Sequence, residues 1–276
     1  MVKTFFVFCA LLILQGCSVT RVAYDNADVF LRWQANSYFD FEGEQSEELD
    51  RVLAGFLAWH RAKELPGYAK LADEASIRVR RGIKRDDLEW GYDAVQAEAR
   101  EALVAAAKDL AGLLDRLTPA QIAHLERRLA EENRKFVKEQ IQGTLEERGE
   151  RRVKRNVQQL AEWIGPLSDG QVERVKRYSK RAPFSAELRD RDRRRRQAEL
   201  LAMLRAREAH KRLAEWARDW DKGREPAYEQ AARATTAEYM DLLLDLDRML
   251  TPAQRERAAS RLQRYARLFE SLATAR

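Results

Sequence analysis

Leu117-Thr118-Pro119-Ala120-Gln121 returns unchanged as Leu250-Thr251-Pro252-Ala253-Gln254, and the reading of this chain starts from those two stretches. A Thr followed three residues later by Gln is the signature of a capping box. The hydroxyl accepts a hydrogen bond from the N–H three positions on, and the Gln side chain reaches back to the N–H of the cap. Proline stands at the first helical position, where no donor is needed. A looser copy, Leu167-Ser168-Asp169-Gly170-Gln171, and a weaker one, Phe41-Glu42-Gly43-Glu44-Gln45, mark two further helix starts. Thr118, Gln121, Ser168, Gln171, Thr251 and Gln254 are therefore expected to be structural capping residues. Phe41 and Leu117 are 76 positions apart, and Leu167 and Leu250 are 83 apart, spacings that suggest a duplication.

Composition agrees with the caps. The chain is 35% charged, with 12 Gly and 6 Pro in 276 residues, and strong helix formers dominate. No alternating run of Val, Ile, Thr and aromatic residues is long enough to read as a strand. Pro66, Pro119, Pro166, Pro183, Pro226 and Pro252 each fall between helical patterns, as expected of a residue that is costly inside a helix. Helices are predicted to begin near residues 23, 44, 69, 84, 119, 145, 168, 185, 225 and 252. Leu49, Val52, Leu53, Phe56, Leu57 and His60 form one apolar stripe; Ile122, Leu125, Leu129 and Phe136 form a second; Leu262, Tyr265, Phe269 and Leu272 form a third. The fold class is all-α, a multi-helix bundle with long helices, with two tandem helical halves suggested by the repeat. The segments are 1–16, 17–40 (tether and first helix), 41–145 (first half) and 146–276 (second half, packed on the first). Gln142 to Arg155 reads either as a linker or as a bridging helix.

The front of the chain has its own grammar. Lys3 precedes an apolar run from Phe5 to Leu14, which at about ten residues suits a signal-peptide core and is too short to span a bilayer. It ends at Leu14-Gln15-Gly16-Cys17, which resembles the lipobox of bacterial lipoproteins. The resemblance implies cleavage after Gly16 and a diacylglycerol and an N-acyl chain on Cys17, with no other cofactor. It also implies that Ser18, in place of Asp, sorts the protein to the periplasmic side of the outer membrane rather than the inner one. Cys9 and Cys17 are the two cysteines of the chain, so the mature domain is left without a disulfide or a Cys-based metal site.

Two broader resemblances follow. The Leu-Thr-x-x-Gln boxes resemble those of the Spy-like periplasmic chaperones, over about a tenth of the chain. The architecture is similar to a family of uncharacterised Gram-negative lipoproteins, through Tyr24-Asp25-Asn26-Ala27-Asp28 soon after the lipobox and Trp59-His60-Arg61 at the end of the first long helix. That second resemblance implies architecture and location and no chemistry.

A catalytic or metal centre is not expected. His60, His124 and His210 fall on three separate predicted helices, and no HExxH, GxSxG, P-loop or dinucleotide-binding glycine run is present. His60, on an apolar stripe, reads as a packed and hydrogen-bonded histidine. Between residues 151 and 220 there are 20 Lys and Arg against 10 Asp and Glu. Its sharpest element contains Arg189, Arg191, Arg193, Arg194, Arg195 and Arg196, which reads either as a solvated helix face or as a contact for an anionic polymer, lipid headgroup or acidic protein. Nucleic acid is not expected as a partner at the periplasmic address that the lipobox resemblance implies. Leu213, Trp216 and Trp220 read as core. Trp33, Phe39 and Phe41 are expected to be buried against the first long helix rather than to touch a bilayer. Three functions remain: a lipid-anchored binding or scaffolding protein of the envelope, an ATP-independent holdase, and an envelope hydrolase for which no residue can be nominated. Oligomeric state is not legible.

Overall fold

The computed structural model describes residues 17–275, with side chains from residue 21 onward; the predicted signal segment, 1–16, lies outside them. Among the described residues the regular structure is entirely helical. In chain order the elements are α1 (Cys17–Asp25), α2 (Ala27–Phe39), α3 (Glu44–Trp59), a π-helical turn (His60–Glu64), α4 (Leu65–Arg80), α5 (Arg85–Leu114) and α6 (Pro119–Phe136). A second π-helical turn (Val137–Ile141) leads to α7 (Leu145–Ile164), α8 (Asp169–Arg181), α9 (Ala186–Arg205), α10 (Ala209–Arg218), α11 (Pro226–Met249) and α12 (Pro252–Thr274).

The capping boxes form as their chemistry requires. Thr118, Ser168 and Thr251 accept from the N–H of Gln121, Gln171 and Gln254, and each Gln accepts in return from the cap's own N–H at 2.9–3.1 Å. A further box, Thr144 with Glu147, opens α7, so the stretch from Gln142 to Arg155 is mainly a bridging helix. The weakest copy has no hydroxyl at its cap. Gly43 takes that position with φ +52°, a left-handed value glycine tolerates without a steric cost.

The box glutamines also join helices in pairs. Gln121 Nε2 donates to Gln45 Oε1 (2.6 Å) and to the carbonyl of Asp40 (2.9 Å), while Gln45 Nε2 donates toward the carbonyl of Arg116. In the later pair, Gln171 Nε2 donates to Gln254 Oε1 (3.0 Å) and to the Met249 carbonyl. Gln254 Nε2 answers to Gln171 Oε1 (3.1 Å) and to the Pro166 carbonyl. Each amide thus fills its donors and acceptors on the approach to the partner helix. The spacings of 76 and 83 residues are the separations of these two pairs.

Packing does not divide at residue 145. One core gathers Phe39, Phe41, Leu49, Leu113, Leu125, Met203, Leu204 and Leu213, so α9 and α10 complete a cluster begun by α2, α3, α5 and α6. A second joins Leu160, Val175, Tyr178, Leu242 and Leu246 of α7, α8 and α11. A third joins Tyr24 of α1, Leu65 of α4, and Tyr265, Leu268 and Leu272 of α12. The two stretches interlock.

Two helix boundaries differ from expectation. Pro66 lies inside a continuous helical run from Glu44 to Arg80, because the π-turn before it lets the Leu65 N–H bond to the carbonyl of His60, five residues back. The extra residue widens the turn just ahead of the proline. The break between α9 and α10 has neither Gly nor Pro; Arg207 takes φ +54° there.

Gly55, in the middle of α3, has nothing within 4 Å of where a Cβ would stand. Gly55→Ala should therefore raise the unfolding free energy by about 0.5–1 kcal/mol through lost backbone entropy of the unfolded chain, read from urea denaturation. A loss of stability would mean that the apparent space is not open.

Candidate functional site

The first helix is held to the body by the segments that carry the lipoprotein resemblance. The Tyr24 hydroxyl and His60 Nδ1 are hydrogen-bonded at 3.0 Å. Arg61 lies over the Tyr24 ring at 5.6 Å and donates to the carbonyl of Ala275 at 3.0 Å. Phe56, Trp59 and Tyr68 surround the imidazole. His60 is 8% exposed, and burial lowers its pKa to about 4, so the ring is neutral. It is the packed, hydrogen-bonded residue its apolar stripe suggests. This clamp ties α1, the π-turn and the end of α12 at one point.

One turn further on, Glu64 is 2% exposed. Burial raises its pKa to about 7, and repulsion from Glu101 and Glu98 adds to the shift; Tyr68 donates to it and only partly offsets these effects. Glu98, whose pKa is also raised by burial, packs against Gly67, where any side chain would meet its carboxylate. Among the described residues no group of His, Cys, Asp or Glu could hold a metal ion.

Beside the clamp runs an open groove of about 990 Å³ between α3 and α5. Its floor is small and apolar (Val52, Gly55, Ala97, Val104), and its rim carries both signs of charge, Arg51 and Lys108 with Glu48 and Asp109. Trp59 closes the end nearest the clamp. A smaller cleft of about 490 Å³, lined by Trp90, Tyr178, Tyr239 and Met240, lies where α4 and α5 meet α8 and α11.

The arginine block is partly packed into the fold, with Arg191 and Arg194 left exposed. Arg189 and Arg193 lie over the Phe136 ring, at 4.8 and 4.5 Å, and Arg193 donates to Asn133. Arg191 makes a two-pronged pair with Glu225, Arg194 pairs with Asp190, and Arg195 pairs with Asp192 and Glu199. Arg196 lies 3.8 Å over the Trp216 ring and donates to the Trp216 carbonyl. Burial lowers its pKa to about 10, still far above neutrality. Arg196→Ala should cost about 2 kcal/mol, because packing and a charge-assisted bond are lost together. Exposed Arg194→Ala should stay within about 0.5 kcal/mol. Equal effects in chemical denaturation would show the block to be a solvated face after all.

The remaining predicted residues are dispersed. His124 bonds to the carbonyl of Ser37 at 3.2 Å, and His210 pairs with Asp115, whose carboxylate also accepts from the Ala209 and His210 N–H groups and so caps α10. The three histidines do not meet. Phe39 and Phe41 are each 5% exposed, as expected, whereas Trp33 is 63% exposed and departs from the expected burial. Cys17 opens α1 and Ser18 follows in it. The sequence missed the long-range cap of α10 and the acid pocket around Glu64, since neither has a local pattern.

No curated protein and no solved structure matches the chain. The sequence pattern of a family of unknown function, DUF6279, matches residues 37–229, a span that takes in the second clamp segment, the groove and the arginine block. With more than half of its length matched, this chain belongs to the family of unknown function DUF6279.

Proposed function

We propose that this protein is a lipid-anchored helical binding or scaffolding protein of the bacterial envelope, carried on acyl chains at Cys17 and acting by contact rather than by catalysis. The observation that carries the reading is Leu14-Gln15-Gly16-Cys17 at the end of a short apolar run. Two or three acyl chains together hold a protein stably at a membrane, where one chain would not. Ser18 favours the outer membrane, periplasmic side, as the address. The clamp at Tyr24, His60 and Arg61 supports the reading because it joins the anchor-bearing helix to the body. The α3–α5 groove is the surface offered for binding. Its apolar floor and mixed rim suit a segment of an envelope protein that presents apolar side chains flanked by both charges.

The test is mass spectrometry of the protein purified from membranes, with fractionation of a Cys17→Ala variant. A diacylglyceryl, N-acylated Cys17 at the N-terminus and release of the variant from the membrane are expected. A bare thiol, or residues 1–16 still attached, would sink the anchor. For the binding half, Gly55→Leu fills the groove floor at a position where a side chain has room. Crosslinked partners should be lost from Gly55→Leu while its thermal stability is kept; unchanged partners would remove the groove from the reading. Suppression of reporter aggregation without ATP would instead favour a holdase.

A further inference from the structure

We propose that the outward face of α1 and α2 seats in the bilayer interface beside the acylated cysteine, so that the protein lies on the membrane along this face instead of swinging from a flexible tether. The inference rests on lipidation of Cys17. Val22, Val29 and Trp33 are 62, 62 and 63% exposed. Steps of seven and four residues put all three on one line of a helix. The hydrogen bonds Asn26 N–H to the Val22 carbonyl and Phe30 N–H to the Asn26 carbonyl keep the helical course almost continuous through the break at Asn26. On the opposite side Tyr24, Ala27, Tyr38 and Phe39 are buried in the body. The outward side of the two helices thus carries an apolar line flanked by the exposed polar residues Arg21, Asp25, Asn26, Asp28 and Arg32. Of the nine large apolar side chains exposed among the described residues, these three share one line within α1 and α2; the other six are spread over α4, α5, α7 and α11.

The occupant is lipid because Cys17 lies in the same helix as the start of the stripe. At about 1.5 Å per residue the stripe ends within roughly 25 Å of it. A surface tied that closely to acyl chains meets the bilayer before it meets anything else. Tryptophan at the far end is the residue type that prefers the headgroup level. Charge gives no attraction to an anionic surface: Arg21 is paired with Asp25 and Arg32 with Asp50, and exposed Asp28 adds a negative charge, so the contact is apolar rather than coulombic.

The experiment uses membrane-purified full-length protein whose Cys17 acylation has been verified by mass. It is reconstituted into phosphatidylcholine vesicles, with or without phosphatidylglycerol, containing lipids brominated near the headgroup. Part of the tryptophan emission should be quenched, to the same extent with and without phosphatidylglycerol, and Trp33→Phe should abolish that quenched component. Trp33 is exposed, so the variant should keep its fold, as circular dichroism will check. With Cys17 acylated, quenching that is absent or unchanged in Trp33→Phe overturns this proposal and leaves the anchor standing. A bare Cys17 overturns both. Quenching that appears only with phosphatidylglycerol overturns the apolar mode of contact.

Discussion

Gln171→Ala is expected to lower the free energy of unfolding by about 2–3 kcal/mol. Gln171 is 1% exposed, and its amide serves four partners: the Ser168 N–H, the Met249 carbonyl, and both ends of the Gln254 amide. Truncation deletes those bonds and leaves the half-buried Gln254 amide without its partner, while Ser168 and Met249 are exposed enough for water to take the lost place. A buried polar group left without a partner costs about 1–3 kcal/mol. Thr251→Ala removes a cap and leaves the amide pair intact, so it should cost only about 1 kcal/mol. Because the two glutamines form one unit, Gln171→Ala with Gln254→Ala should cost less than the sum of the single changes, by about 1 kcal/mol or more. Urea denaturation with unchanged slope measures all three. A loss below 1 kcal/mol for Gln171→Ala would reduce the pair to an ordinary cap.

The opposite sign is expected at Glu64. Its pKa in the folded protein, about 7, lies above its ordinary 4.5. Its contribution to stability is therefore fully present below pH 4.5 and is lost as pH rises toward 7. His60 runs the other way: its folded value of about 4 lies below 6.5, so its contribution is present above pH 6.5 and is lost as pH falls toward 4. Between pH 4.5 and 6.5 the two slopes nearly cancel. Glu64→Gln keeps the shape and removes one slope. It should raise stability by about 2–3 kcal/mol at pH 8 and by less than about 1 kcal/mol at pH 5. The variant should also lose stability more steeply than wild type below pH 6.5, since the histidine is then uncompensated. Parallel thermal unfolding curves for the two proteins across pH 5–8 would contradict the buried-acid account.

How much of this was legible in the sequence depends on the reach of each signal. Capping boxes act within four residues, so Thr118, Ser168 and Thr251 announced their helices accurately. The role of the box glutamines as paired amides was foreshadowed only by the 76- and 83-residue spacings, because the contact needs two helices brought together. The start of α10 was invisible: its cap, Asp115, comes from the other end of α5, 94 residues away. Pro66 misled because the π-turn that accommodates it has no sequence signature. The setting of each guanidinium in the arginine block was hidden for a different reason. Composition counts charges, but a guanidinium that stacks on Phe136 or Trp216 serves as packing material. Of the candidate site, the packing of His60 was readable from its apolar stripe. Glu64 was not, since nothing local distinguishes a buried glutamate among 45 acidic residues.

The pairing of α4 with α12 bears on how the chain reaches its final form. Arg80 and Glu256, which bridge the two helices, are 176 positions apart. A helix synthesised early has to wait for one synthesised late, and such distant pairings fold slowly because the intervening loop must close first. Until then the apolar side of α4, with Leu65 and Ala69, lacks the helix that supplies most of its packing. A polypeptide of this design would carry that exposed side through most of its synthesis, open to its neighbours until its last helix arrives.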